Sequence, residues 1–173
     1  SPVQGLRDLF DNLPTGTRED WEDFASALQY YKKAEAIQPD NPTVLFQAGS
    51  CLAELGRHEE ALQYFFKLDF IETDCIKARR AIGWCSFVCG KYEQAMKYYR
   101  KVLNTHPLAT DYLNAGHVAW KLNEVEKAAE LYGRAAAGSS SRQEFFEIFE
   151  RDRGILLKQG IAEEDIPLML DMI

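Results

Sequence analysis

The sequence predicts an all-α fold, a solenoid of antiparallel helix hairpins with a helical cap at each end, and three observations carry that prediction. The first is a period. HEEALQYFFKLDF from His58 lies over YEQAMKYYRKVLNTHP from Tyr92 with Ala61 on Ala95, Phe65 on Tyr99 and Leu68 on Val102, each 34 residues apart. A step of 34 back reaches FASALQYYKKAEAIQP, with Ala27, Tyr31, Ala34 and Pro39, and a step of 33 forward reaches VEKAAELYGRAAA, with Ala128, Tyr132 and Ala135. The second is a glycine twelve residues before each marked alanine: Gly49, Gly83 and Gly116. The third is a residue suited to a left-handed turn between them, Gly56, Gly90 or Asn123. Self-similarity at this period means one supersecondary unit repeated, here a helix, a tight turn and a second helix.

The elements follow in chain order. Leu6, Leu9, Phe10 and Leu13 recur at helical spacing, so a short amphipathic helix is expected, broken by Pro14, Thr15 and Gly16. Thr17 with Asp20 has the character of an N-cap for the next helix. Residues 1–41 are thus read as a helical cap and half-repeat, and 42–75, 76–108 and 109–142 as three full repeats. Within each repeat, small residues let two helices approach closely while an aromatic fills the gap between repeats. Pro39 and Pro107 stop helices. No single hairpin can bury its apolar faces alone, so the repeats must stack.

Residues 143–173 form the last section. Just before it, GSSSRQEFFEIFERDRGILLKQG opens with a capping box, Ser141-x-x-Glu144, and runs to Gly160, with Phe145, Ile148, Phe149 and Leu156 as one apolar stripe. AEEDIPLMLDMI predicts a final helix with acids at its positive end and Pro167 near its first turn, giving about ten helices in all. Both ends have the composition of solubilising caps. Leu168, Met169, Met172 and Ile173 also make Pro167 to Ile173 a candidate surface for self-association.

The 34-residue pattern resembles the tetratricopeptide repeat (TPR). Gly83, Gly90, Tyr92, Ala95, Tyr99 and Pro107 carry the resemblance in one repeat, Gly49, Gly56, Ala61 and Phe65 in the repeat before, and Gly116, Ala128, Tyr132 and Ala135 in the repeat after. It covers residues 42–142 and, through a second helix only, 20–41. His58 and Val125 replace the usual turn tyrosine, Ser86 stands where a large aromatic is common, and Thr73 replaces proline. The resemblance implies a right-handed superhelix whose first helices line a concave groove for peptides or partner helices. Carried over position by position, the groove residues are Phe46, Gln47 and Ser50, then Lys77, Arg80, Trp84 and Phe87, then Asn114, His117, Trp120 and Lys121, with Trp120 the one best suited to the core. Chaperone-binding members share a two-carboxylate clamp of Lys and Asn, Asn, and Lys and Arg. Phe46, Ser50, Ala81, Thr110 and Asn114 stand in its place, so chaperone C-termini are not the expected ligand.

Composition narrows the partner. The chain has 173 residues, 46% of them hydrophobic, ample for a core. A formal charge of -7 disfavours nucleic acid, whose affinity rests on clustered Lys and Arg. No run approaches the roughly 18 apolar residues of a membrane span, and SPVQGLRDLF has no signal-peptide pattern. The expected compartment is the cytoplasm, although a start at Ser-Pro without Met points to an excised segment. The charge is unevenly spread: residues 76–109 carry seven basic and one acidic side chain, against three and eight over 144–173. That contrast either steers an acidic partner or pairs with the acidic flanks. Lys77 and Arg80 suit carboxylates, and Trp84 is a rigid anchor, so an acidic or aromatic peptide is the expected ligand.

Chemistry finds little support. Cys51, Cys75, Cys85 and Cys89 do not make a disulfide framework in a chain this rich in core. Cys85 and Cys89 share a helix face at about 5–6 Å between Cβ atoms, too far for a relaxed disulfide. Zinc would need two further ligands, with His117 the one nearby candidate, and a Cys85/His117 dyad would need an open, electropositive setting. Cys85 also fills the slot of Cys51 and Val118, which points to packing. Glu59/Glu60 and Glu163/Glu164 sit at helix starts, where carboxylates favour the dipole. No catalytic residue, metal or cofactor is expected. The reading is a non-catalytic protein-binding module or assembly scaffold; the alternative is a structural solenoid whose groove is filled by its own chain or a second copy.

Overall fold

The computed structural model describes residues 18–173. All of the regular structure in that range is helical: α1 Arg18–Ile37, α2 Pro42–Glu54, α3 His58–Ile71, α4 Ile76–Val88, α5 Tyr92–Leu103, α6 Ala109–Lys121, α7 Val125–Ala137, α8 Arg142–Lys158 and α9 Asp165–Asp171. The expected helix over Leu6 to Leu13 and the Thr17 cap lie outside the described residues. The chain divides into two compact units, the first ending at Ala78 and the second running Arg79–Ile173. No described helix is long and apolar enough to cross a membrane.

In the first unit α2 begins at a cap that the proline pattern did not single out. Asn41 Oδ1 accepts from the backbone N–H of Thr43 and Val44 at 3.0 and 3.3 Å, and Pro42 takes the first helical position, where its missing N–H costs nothing. Helices α2 and α3 turn at Gly56, whose φ of 78° is left-handed. The corresponding turns of the second unit use Gly90 at 77° and Asn123 at 62°. Each closes with a hydrogen bond back into the preceding helix, Arg57 N to Leu52 O, Lys91 N to Ser86 O and Glu124 N to Ala119 O, at 2.8, 2.8 and 2.9 Å. The turn signal read from sequence is therefore a backbone conformation repeated three times.

Within each hairpin one contact sets how closely the helices approach. A Cβ placed on Gly49 would stand 2.8 Å from the Phe65 ring, on Gly83 2.8 Å from Tyr99, and on Gly116 2.6 Å from Tyr132. Each aromatic lies sixteen residues after its glycine and is almost fully buried, and Ala61, Ala95 and Ala128 beside them have no exposed surface. The first unit's core adds Leu28, Leu45, Leu52, Leu62 and Leu68; the second adds Phe145, Phe149, Leu156 and Ile166 from α8 and α9. Helix α8 starts at the expected box: Ser141 Oγ accepts from Glu144 N at 3.0 Å, while the Glu144 carboxylate reaches past Ser141 to Ser140 N at 2.7 Å.

Two opposed effects meet in a glycine-to-alanine change on these helices. Alanine favours a helix by about 1 kcal/mol, whereas overpacking a filled core costs about 1–3 kcal/mol. Gly83→Ala is expected to lower the melting temperature by several degrees, because the buried Tyr99 ring has nowhere to withdraw. Gly133→Ala, where a Cβ meets nothing within 4 Å, is expected to raise it; thermal unfolding by circular dichroism of both variants checks the pair.

Candidate partner-binding face

The residues proposed for partner contact lie on α2, α4 and α6, at the three- and four-residue spacings that keep side chains on one side of a helix. In the first unit Phe46, Gln47 and Ser50 are half-buried and Lys77 is exposed. The Lys77 ammonium lies 5.5 Å from the centre of the Phe46 ring, and Phe46 in turn packs 5.9 Å from Phe65. The face thus presents an aromatic surface and a cation side by side.

The second unit treats the corresponding positions differently. Arg80 donates twice to Asp111, Nε to Oδ1 at 2.6 Å and Nη2 to Oδ2 at 2.8 Å. Asp111 has no exposed surface and also accepts from the Leu108 backbone at 2.8 Å, whereas the Arg80 side chain keeps 31% of its exposure. The hydrogen bonds to this carboxylate hold the Arg80 guanidinium above its ordinary pKa, overriding desolvation. Arg80 therefore holds α4 to α6 before it meets any partner. Lys77 over Phe46 and Asp111 under Arg80 share one spacing, 31 residues, which is the repeat less three.

Phe87 and His117, placed by the sequence among the partner-facing residues, have no exposed surface. Their rings stack with centroids 6.1 Å apart. Both nitrogens of His117 are engaged, Nδ1 with the Tyr132 hydroxyl at 2.6 Å and Nε2 with Asp152 Oδ2 at 2.9 Å, so neither is available to a metal or to a cysteine. Tyr132 and Phe149 close round the same imidazole, at 5.4 and 5.8 Å. Trp120 is 7% exposed, in the core as its pattern implied. Trp84 remains half-buried beside Phe87 at 5.5 Å, and Asn114 is half-buried.

Helix α8 accounts for this burial. It has 17 residues against 13 in α6, and its far end returns over α4 and α5. Lys121 donates to the Gln159 carbonyl and sits over the Tyr92 ring at 5.5 Å. The Gln159 side chain accepts from the Tyr92 hydroxyl at 2.6 Å and donates to the Phe87 carbonyl at 3.0 Å. Asp111, Asp152 and Gln159 were missed in the sequence. Asp152 lies 35 residues after His117, about one repeat on, a signal that appears only if α8 is treated as the first helix of another repeat.

Burial also decides the thiol chemistry. It pushes Cys85 up to about 12, with Cys89 adding to the rise, and raises Cys51 as well. Among the described residues no group of three or more His, Cys, Asp or Glu is placed to hold a metal. A thiol titration near pH 8 is expected to show Cys75 and Cys89, both half-buried, reacting well before Cys51 and Cys85, which have too little thiolate and too little access. Arg80→Ala leaves Asp111 as an unpaired buried carboxylate and is expected to cost about 3 kcal/mol in urea unfolding, with Arg80→Met combined with Asp111→Leu recovering part of it.

Comparisons with known proteins agree with this architecture. Two family models described as tetratricopeptide repeat match residues 22–85 and 78–109. No curated protein sequence matches the chain. Among solved structures, MamA residues 41 to the end from Desulfovibrio magneticus RS-1 superposes with a TM-score of 0.69 at 17% identity, over 98% of this chain and 93% of that one. TTC0263, a thermophilic TPR protein of Thermus thermophilus, gives 0.64 at 12% identity over 81% and 76%. YrrB, described as a TPR protein with an unusual peptide-binding site, gives 0.62 at 18% identity over 84% and 72%. The solved structures share the fold, and the two family models, on the glycine–aromatic hairpins and left-handed turns already in place, show that the chain belongs to the tetratricopeptide repeat family of protein-interaction scaffolds.

Proposed function

We propose that the protein is a non-catalytic interaction module that binds a helix or extended segment of a partner protein on its first unit, at the face that carries Phe46, Gln47, Ser50 and Lys77. One observation carries this reading: in the second unit the same face already holds a helix, the chain's own α8. Ser50, Trp84 and His117 occupy one repeat position, 34 and 33 residues apart, and at His117 that position receives Asp152 of α8. In the first unit Ser50 is half-buried at the equivalent place. Lys77 over Phe46 gives that face a cation and an aromatic ring, which suits a segment carrying a carboxylate or an aromatic side chain. The four cysteines, none of them in a disulfide, suit a reducing compartment such as the cytoplasm.

In the second unit α8 and the residue after it meet His117 and Phe87, which leaves that unit less surface to offer. Partner recognition is therefore assigned to the first unit. A photo-crosslinking residue at position 47 is expected to yield a discrete partner adduct in cells, and the same residue at position 63, exposed on α3, to yield none. Lys77→Glu should weaken the adduct about tenfold, the equivalent of about 1.4 kcal/mol. Equal labelling from both positions, or labelling indifferent to Lys77→Glu, would remove the proposal.

A further inference from the structure

A second candidate surface lies between the second helices of two repeats, α5 and α7, where a cleft of about 350 Å³ opens. Its floor is apolar: Met96 and Leu131 are buried and Leu103 is half-buried. Its rim is mainly cationic. Arg100, Lys127 and Arg134 line it and are exposed, against two acids, Glu124 and Glu130. Lys127 meets Glu130 at 3.9 Å, a surface contact of little strength, and Arg134 lies over the Tyr112 ring at 5.6 Å. Beyond the rim Lys97 and Lys101 stand over the ring of Tyr98 at 5.8 and 4.7 Å, extending the positive field along α5.

The chain also carries a helix of complementary character. Helix α9 exposes Leu168 at 63%, and its C-cap Met172 is 51% exposed. The two are four residues apart and so share a face. Glu164, Asp165 and Asp171, all exposed, flank that face. A positive rim over an apolar floor and an apolar stripe edged with carboxylates match in both charge and polarity. They cannot meet within one molecule without loss, because Ile166 and Met169 on the other side of α9 are buried in the chain's own core.

We propose that the α5/α7 cleft receives helix α9 of a second copy of the chain. Such a contact is heterologous, each copy using a different surface to give and to receive, so it builds rings or open chains in place of a closed two-fold dimer. Its small size makes it a weak association, visible at high protein concentration and diminished by salt. It is independent of the Phe46–Lys77 face.

Sedimentation equilibrium of the 1–173 chain tests it. The weight-average mass should rise with concentration and fall back as salt is added. Arg100→Glu with Arg134→Glu, and separately Leu168→Glu with Met172→Glu, should each lower the association constant at least tenfold. An equimolar mixture of the two variants should give a dimer that grows no further, since one supplies an intact cleft and the other an intact helix. If the cleft variant fails to fold by circular dichroism, Arg100→Gln with Arg134→Gln replaces it. A wild-type chain that stays monomeric at every concentration, variants that still associate, or a mixture that stays monomeric would each overturn the proposal.

Discussion

Every hairpin from α2 to α7 depends on one packing constraint, an aromatic ring pressed against the backbone of a glycine sixteen residues earlier. With a Cβ at Gly49, Gly83 or Gly116 falling within 2.8 Å of ring carbon, the helix pair reaches its separation only because the side chain is missing. Once that distance is set, Ala61, Ala95 and Ala128 must be small and Phe65, Tyr99 and Tyr132 must be large. The left-handed turns then only have to return the chain at the right angle.

On this scaffold the two units use the face of their first helices in different ways. In the second unit its charges are engaged: Arg80 neutralises a buried carboxylate, and Lys121 is held by the end of α8. Its aromatics are engaged as well, Phe87 and His117 stacked beneath α8. The family resemblance placed all of these side by side as groove residues, yet Phe87 and His117 have no exposed surface. Asp152 of α8 and Gln159 at its end meet His117 and Phe87 there. In the first unit Phe46 and Lys77 hold the same kind of position with surface to offer.

The fold was legible because it is periodic. Gly83, Gly90, Ala95 and Tyr99 recur with counterparts one repeat away, and each recurrence is a separate check on the same geometry. The site was legible only in part, because its decisive contacts join residues that are not repeat equivalents. Asp111 reads as an ordinary first-turn acid until its zero exposure is known, and Gln159 as a residue at a helix end until it is found bonded to Tyr92 and Phe87. The cysteine pair that draws the eye at Cys85 and Cys89 is accounted for by burial: Cys85 fills a core slot, and a thiol held near 12 does little chemistry at neutral pH.

The reach of α8 also bears on how this molecule folds and frays. Repeat arrays are nearly one-dimensional: stability sums over neighbours, and their ends loosen one repeat at a time. Gln159 bonded to the Phe87 carbonyl ties residues 72 apart and bypasses the hairpin between them. That tie raises the contact order of the second unit and makes the late seating of α8 a natural slow step in folding, since its loop must close before the contact is gained. It also latches the terminus: α8 cannot peel away while Lys121, Tyr92 and Phe87 hold its last turn, so opening there involves α4 through α8 together.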